Sequence, residues 1–73
     1  MPNAIDIPLT DPRVSPLMRE YIAKKGFHLK EYCGHLTVIG EEGGEPVELG
    51  YELFCTLARI YYADELAALE EDS

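Results

Sequence analysis

Seventy-three residues allow one domain and no more. Apolar residues make up 47% and charged ones 27%, ordinary globular usage that argues against disorder throughout. Fourteen acidic residues against six basic ones leave a formal net charge of -8. That balance disfavours direct binding to nucleic acid or to an anionic membrane, both of which need a basic patch.

No apolar run approaches the roughly 18 residues that span a bilayer. The N-terminus lacks the basic start and apolar core of a secretion signal, so the expected location is cytoplasmic. Cys33 and Cys55 are too few for a disulfide scaffold and read as free thiols in a reducing compartment. A chain this short buries only about 60% of its unfolded surface, so self-association or docking on a larger partner would supply burial that the monomer lacks.

Residues 1–15 carry three of the five prolines, and Ile5, Ile7 and Leu9 alternate with Asp6 and Pro8. This is strand periodicity, but Pro8 has no amide hydrogen to donate, which predicts an edge strand or an extended arm. A helix is predicted over 16–25. Ser15 suits the cap, Pro16 the first turn, Lys24 and Lys25 the negative end of the dipole and Gly26 a left-handed stop. Its core stripe is Leu17, Met18, Tyr21 and Ile22.

From Phe27 the period falls to two. Phe27 and Leu29, then Leu36 and Val38, mark two strands, with a hairpin at Tyr32-Cys33-Gly34-His35. Gly40 to Pro46 reads as a flexible acidic loop, and Val47 to Leu49 as a short third strand. In the last segment Leu53, Phe54, Leu57, Ile60 and Tyr61 fall in one helical sector, which predicts a buried stripe on a helix over 51–62. Leu66 and Leu69 do not continue that stripe. Either the helix breaks near Asp64, which can cap a new one, or one long helix carries a second apolar face for a partner. The whole reads as an α+β domain: an arm over 1–15, a domain over 16–70 with a helix, a three-stranded antiparallel meander and a C-terminal helix or broken helix pair, and an acidic tail over 71–73.

Charge divides the chain in two. Up to residue 40 the five bases Arg13, Arg19, Lys24, Lys25 and Lys30 offset Asp6, Asp11, Glu20 and Glu31, whereas beyond it ten acids face Arg59 alone. Acidic surface serves solubility; it also suits a basic cleft, where carboxylates can take the places of phosphates. Glu41, Glu42, Glu45, Glu48 and Glu52, with Asp64 and Glu65, are the candidate partner-binding acids, and Glu70, Glu71 and Asp72 follow them. Tyr21 and Tyr61 belong to core stripes. Tyr51 and Tyr62 are the candidate aromatic contacts, since tyrosine buries area while keeping a polar tip.

His28, Cys33, His35 and Cys55 are the soft metal ligands, but their spacing matches neither C-x2-C nor H-x3-H, so no metal and no cofactor is expected. Buried thiols and exposed strand histidines are the simpler reading. Cys33 beside His35 lacks an evident orienting group or oxyanion site, and the chain leaves little room for a substrate cleft. The glycines at 40, 43 and 44 lack the G-K-[ST] of a phosphate loop, and the acids around them lack the calcium-loop order. A non-catalytic protein is therefore expected.

In size and charge the chain resembles the small inhibitors that phages make against host defence nucleases, anti-CRISPR proteins among them; the resemblance transfers no residues. It implies an inhibitor or regulator acting in host cytoplasm, docking an acidic surface on a basic nucleic-acid-handling protein such as a nuclease or CRISPR effector complex. The alternative is a homodimeric structural or accessory subunit that self-associates through Tyr62, Leu66 and Leu69.

Overall fold

The computed structural model describes residues 4–71. The first three residues of the arm, and Asp72 and Ser73 of the acidic tail, lie outside the described residues. Element order is β1 (Ile5–Ile7), α1 (Pro16–Lys25), β2 (His28–Tyr32), β3 (His35–Glu42), β4 (Glu45–Gly50), α2 (Tyr51–Tyr61) and α3 (Ala63–Glu71). The strands form one antiparallel sheet in the order β1-β2-β3-β4, with helices on one face.

The sheet thus has four strands, one more than the sequence predicts. The extra strand comes from the arm: Ile5 to Ile7 pair with Glu31 to Leu29 at the sheet edge. Pro8 follows immediately, and the Asp11 amide donates to the Pro8 carbonyl at 3.0 Å, so the chain turns where the strand can no longer continue. Arg13 then fastens this turn, donating to Asp11 at 2.9 Å and to Glu31 of β2 at 2.7 Å.

α1 has the predicted bounds. Ser15 Oγ accepts from the Met18 amide at 3.3 Å and Pro16 begins the helix. At the other end Gly26 takes a φ of 78°, its amide donating to Ala23 and that of Phe27 to Ile22. This pair of bonds satisfies carbonyls that the last turn would leave orphaned.

Two-residue turns join β2 to β3 and β3 to β4. Cys33 and Gly34 have φ of 51° and 82°, and Gly43 and Gly44 have 61° and 86°, the left-handed pair that matches strand twist in a tight hairpin. The predicted flexible loop over 40–46 is therefore a correction. Glycine at both turn positions lets the strands run on, so Glu41 and Glu42 end β3 and Glu45 and Pro46 begin β4.

Side chains alternate between sheet faces. Ile7, Leu29, Val38 and Leu49 stand in one cross-strand row toward the helices. Gly40 faces the same way. A Cβ there would lie 2.2 Å from the Phe27 ring, so the glycine makes room for that ring. Around this row Val14, Met18, Tyr21, Ile22, Phe27, Phe54, Cys55, Ala58 and Leu66 complete the core. Tyr21 lies at its centre, 5.9 Å from Phe54 and 6.1 Å from Tyr62 between ring centroids.

The C-terminal segment is a broken helix pair. The break falls at Tyr62 (φ -127°, ψ 29°), and α3 begins at Ala63, one residue before Asp64. The predicted buried stripe of α2 is overturned. Phe54, Cys55 and Ala58 are buried, whereas Leu53, Ile60 and Tyr61 are 52%, 63% and 72% exposed. Both sets have helical spacing, and the sheet accepts the one led by Phe54, whose ring meets Phe27 edge-on at 5.9 Å. The break then turns α3 back so that Leu66 enters the core beside α1.

Candidate functional site

The predicted partner-binding acids come from four elements, β3, β4, α2 and α3, and the structure sorts them. Register places Glu41 and Glu48 on the open face of the sheet, Glu42 and Glu45 on the helix side. Glu52 is exposed in the first turn of α2 and Asp64 in that of α3. The β3–β4 hairpin and α3 nevertheless meet, because Lys25 at the end of α1 lies between them. Its Nζ is 3.8 Å from Glu42 and 3.4 Å from Glu65. The same ammonium sits 5.6 Å above the Tyr21 ring and 5.2 Å above that of Tyr62. Glu65 Oε2 is shielded from solvent, and Lys25, 3.4 Å away, offsets its charge while the Tyr21 hydroxyl lies beside the same carboxylate. Burial, and the Glu65 carboxylate after it, push the Tyr21 hydroxyl well above its usual range.

The two candidate aromatic contacts are half-buried against the core. Tyr51 accepts the Ser15 amide at 3.1 Å through its hydroxyl, tying α2 to the start of α1. Tyr62 packs on Tyr21 and beneath Lys25. Of the self-association set, Leu66 is 5% exposed and lies in the chain's own core, and Leu69 packs against it. Tyr61, assigned to the core from its spacing, is on the surface.

The surface that the sequence reading missed runs along α2. Leu53, Leu57, Ile60 and Tyr61 make a continuous outer stripe, and beside it a groove of about 180 Å³ opens between α2 and β4. Val47 and Leu49 form one wall and Leu57 and Tyr61 the other, with the buried rings of Phe27 and Phe54 at the floor. Glu42 lines one end, and Glu45 neighbours it across the hairpin. The signal was present in the sequence as two apolar sectors on α2, Phe54-Cys55-Ala58 and Leu53-Leu57-Ile60-Tyr61, of which a single sheet can cover only one.

The residues considered for metal or nucleophilic chemistry are dispersed. Cys33 is exposed at a turn, which corrects its expected burial: the tight turn points away from the core. Cys55 is buried and desolvation pushes its thiol up, so it stays protonated. His28 pairs with Ile39 and His35 with Tyr32 across β2 and β3, and both histidines are exposed. Among the described residues no group of three or more His, Cys, Asp or Glu could hold a metal ion. No helix of the described chain is long and apolar enough to cross a membrane. A wider hollow of about 700 Å³ opens at the opposite end of β3, lined by Arg13, His35, Tyr51 and Glu52 among others. Its Arg13 is held by Asp11 and Glu31, and Arg13 in turn holds the Asp11 carboxyl below its usual range.

No protein-family model matches the chain, and no curated protein or solved structure is similar enough to match it.

Proposed function

We propose that the chain is a non-catalytic binding protein, an inhibitor or regulator that docks its acidic half on a basic protein partner. The observation that supports this reading most is an apolar groove with Glu42 in its lining and Glu45 opposite Glu42 in register, to whose side Lys25 also draws Glu65 of α3. An apolar centre with a charged rim is the usual anatomy of a protein interface, and the rim's sign favours a positively charged partner. Proteins that handle nucleic acid carry such surfaces, which makes a nuclease or effector complex the partner class.

The test is capture on the immobilised chain, identification of what is bound, and competition by that partner's own nucleic acid. A basic protein is expected, released by salt at about 0.5 M, where the screening length is only a few ångströms. The double variant Glu41→Lys, Glu45→Lys, at two exposed positions, should lose it while keeping its circular dichroism spectrum. Capture indifferent to the charge reversal would remove the reading.

A second reading, an accessory subunit of a larger assembly, is favoured by the exposed α2 stripe. It predicts retention that survives high salt, because apolar burial is not screened.

A further inference from the structure

We infer that the groove between α2 and β4 takes an amphipathic helix of the partner, with its apolar residues against the α2 stripe and its lysines or arginines toward Glu42 and Glu45. This deepens the proposed function and rests on it.

Three observations carry the inference. The first is spacing. Leu53, Leu57 and Ile60 step by four and three residues, a period of 3.5; Leu53 and Ile60 are exposed, and Leu57 between them is half-buried at the groove wall. Such a row is the ridge that a neighbouring helix packs along. Tyr61 extends it toward the groove wall.

The second is size. A groove of about 180 Å³ is smaller than the roughly 300–1,000 Å³ of small-molecule sites. It fits anchoring side chains that reach the Phe27 and Phe54 rings past Val47 and Leu49. Large apolar anchors in a preformed groove are how helices are held by their receptors.

The third is charge. Among the described residues no basic side chain lines the groove itself; Lys25 lies at its end, 3.8 Å from Glu42, and Glu45 stands opposite Glu42 in register, so two carboxylates share one ammonium there. Glu52 lies at the start of the α2 stripe, and Asp64 just beyond its end. A second copy of the chain is therefore a poor occupant. Two chains of net charge -8 would bring these acids together with Arg59 as the one base in the segment from 41 to 73. A helix with basic flanks meets the same acids favourably and is steered toward them.

The probe is a labelled model helix with leucine at i, i+3, i+4 and i+7 and lysine elsewhere, compared with its counterpart carrying glutamate for lysine. Anisotropy titrations read affinity, and amide NMR spectra locate the contact. The lysine peptide is expected to bind, more weakly as salt rises, and to move the resonances of Val47, Leu49 and residues 53–61. The glutamate peptide should bind at least about ten-fold more weakly. The variant Leu53→Ser, Ile60→Ser changes two exposed residues, so it should fold normally yet lose about ten-fold in affinity. Equal affinity for both peptides, no binding of either, or shifts confined to another face would overturn the inference. A sedimentation mass of twice the chain, reduced to the monomer by the same variant, would assign the stripe to a second copy instead. If the captured basic partner is lost on reversing Glu41 and Glu45 but kept by Leu53→Ser, Ile60→Ser, the acidic docking stands and the groove alone is ruled out.

Discussion

α1 and α2 cover the same sheet, yet they relate to their sequences in opposite ways. α1 carries one modest apolar stripe, and all of its best members, Met18, Tyr21 and Ile22, are at most 1% exposed. α2 is the more apolar helix and leaves Leu53, Ile60 and Tyr61 on the surface. The difference teaches that hydrophobic periodicity reports a face that avoids water, without saying what covers it. A helix with one apolar face can only give it to the core. A helix with two such faces gives the core the one whose shapes fit, here Phe54 against Phe27 and Ala58 close to the sheet, and keeps the other for elsewhere.

The largest expected effect lies in α1. Ile22 is fully buried, so Ile22→Ala should cost about 2–5 kcal/mol in urea unfolding, a large part of what a domain of this size has. The same face can be read by pH. Tyr21 has its ionisation pushed up by burial and by Glu65, so the folded state holds that proton more tightly than the unfolded chain does. Its contribution is fully present below the unfolded value of about 10 and is lost as pH rises beyond it. In an alkaline ultraviolet titration Tyr21 should therefore ionise only with unfolding. Ionisation of all five tyrosines in an intact fold would refute its placement.

Next comes the contact that lets α2 choose Phe54. Gly40→Ala places a methyl 2.2 Å from the Phe27 ring, and that ring is wedged against Phe54. The ring must shift, at a cost of about 1–3 kcal/mol. Because Phe27 also floors the groove, the variant should lower helix-peptide affinity along with stability. A melting temperature equal to that of the parent chain would show that the ring has room the structure does not give it. A smaller effect is expected where α1 begins. Ser15→Ala removes the acceptor of the Met18 amide and should cost about 1 kcal/mol, measurable as a shift in urea midpoint without a change in slope.

Legibility in the sequence followed how local each signal was. Ser15, Pro16 and Gly26 specify the bounds of α1 within a few residues of chain, and the structure keeps them. The Cys33-Gly34 hairpin was legible for the same reason. Ile5 to Ile7 read as an edge strand or free arm because the deciding partner, β2, lies more than twenty residues away. Gly43-Gly44 read as a loop because glycine pairs serve flexible and tight turns alike, and the strand pairing on either side decides between them. For the candidate site, the acids were legible by count, but their division between two sheet faces depends on register, which a one-residue slip would invert. Lys25 was legible only as a helix-end charge. Its contacts with Glu42, Glu65, Tyr21 and Tyr62 join α1, β3, α3 and the break between the last two helices, which no sequence window contains.

The smallest expected effect is the sharpest test of the contrast between the helices. Ile60 is 63% exposed, so Ile60→Ser removes little buried area and should change stability by no more than about 0.5 kcal/mol. If the outer stripe of α2 were spare core surface, packed in solution against some other part of the same chain, the change would cost as much as a partly buried truncation, about 1–2 kcal/mol. A near-zero result in the free protein, together with loss of the helix peptide, separates a face held for a partner from a face the fold uses. It would also place α1 and α2 in different roles despite their common sheet: one helix is spent wholly on holding the domain together, and the other divides its apolar residues between the domain and what binds it.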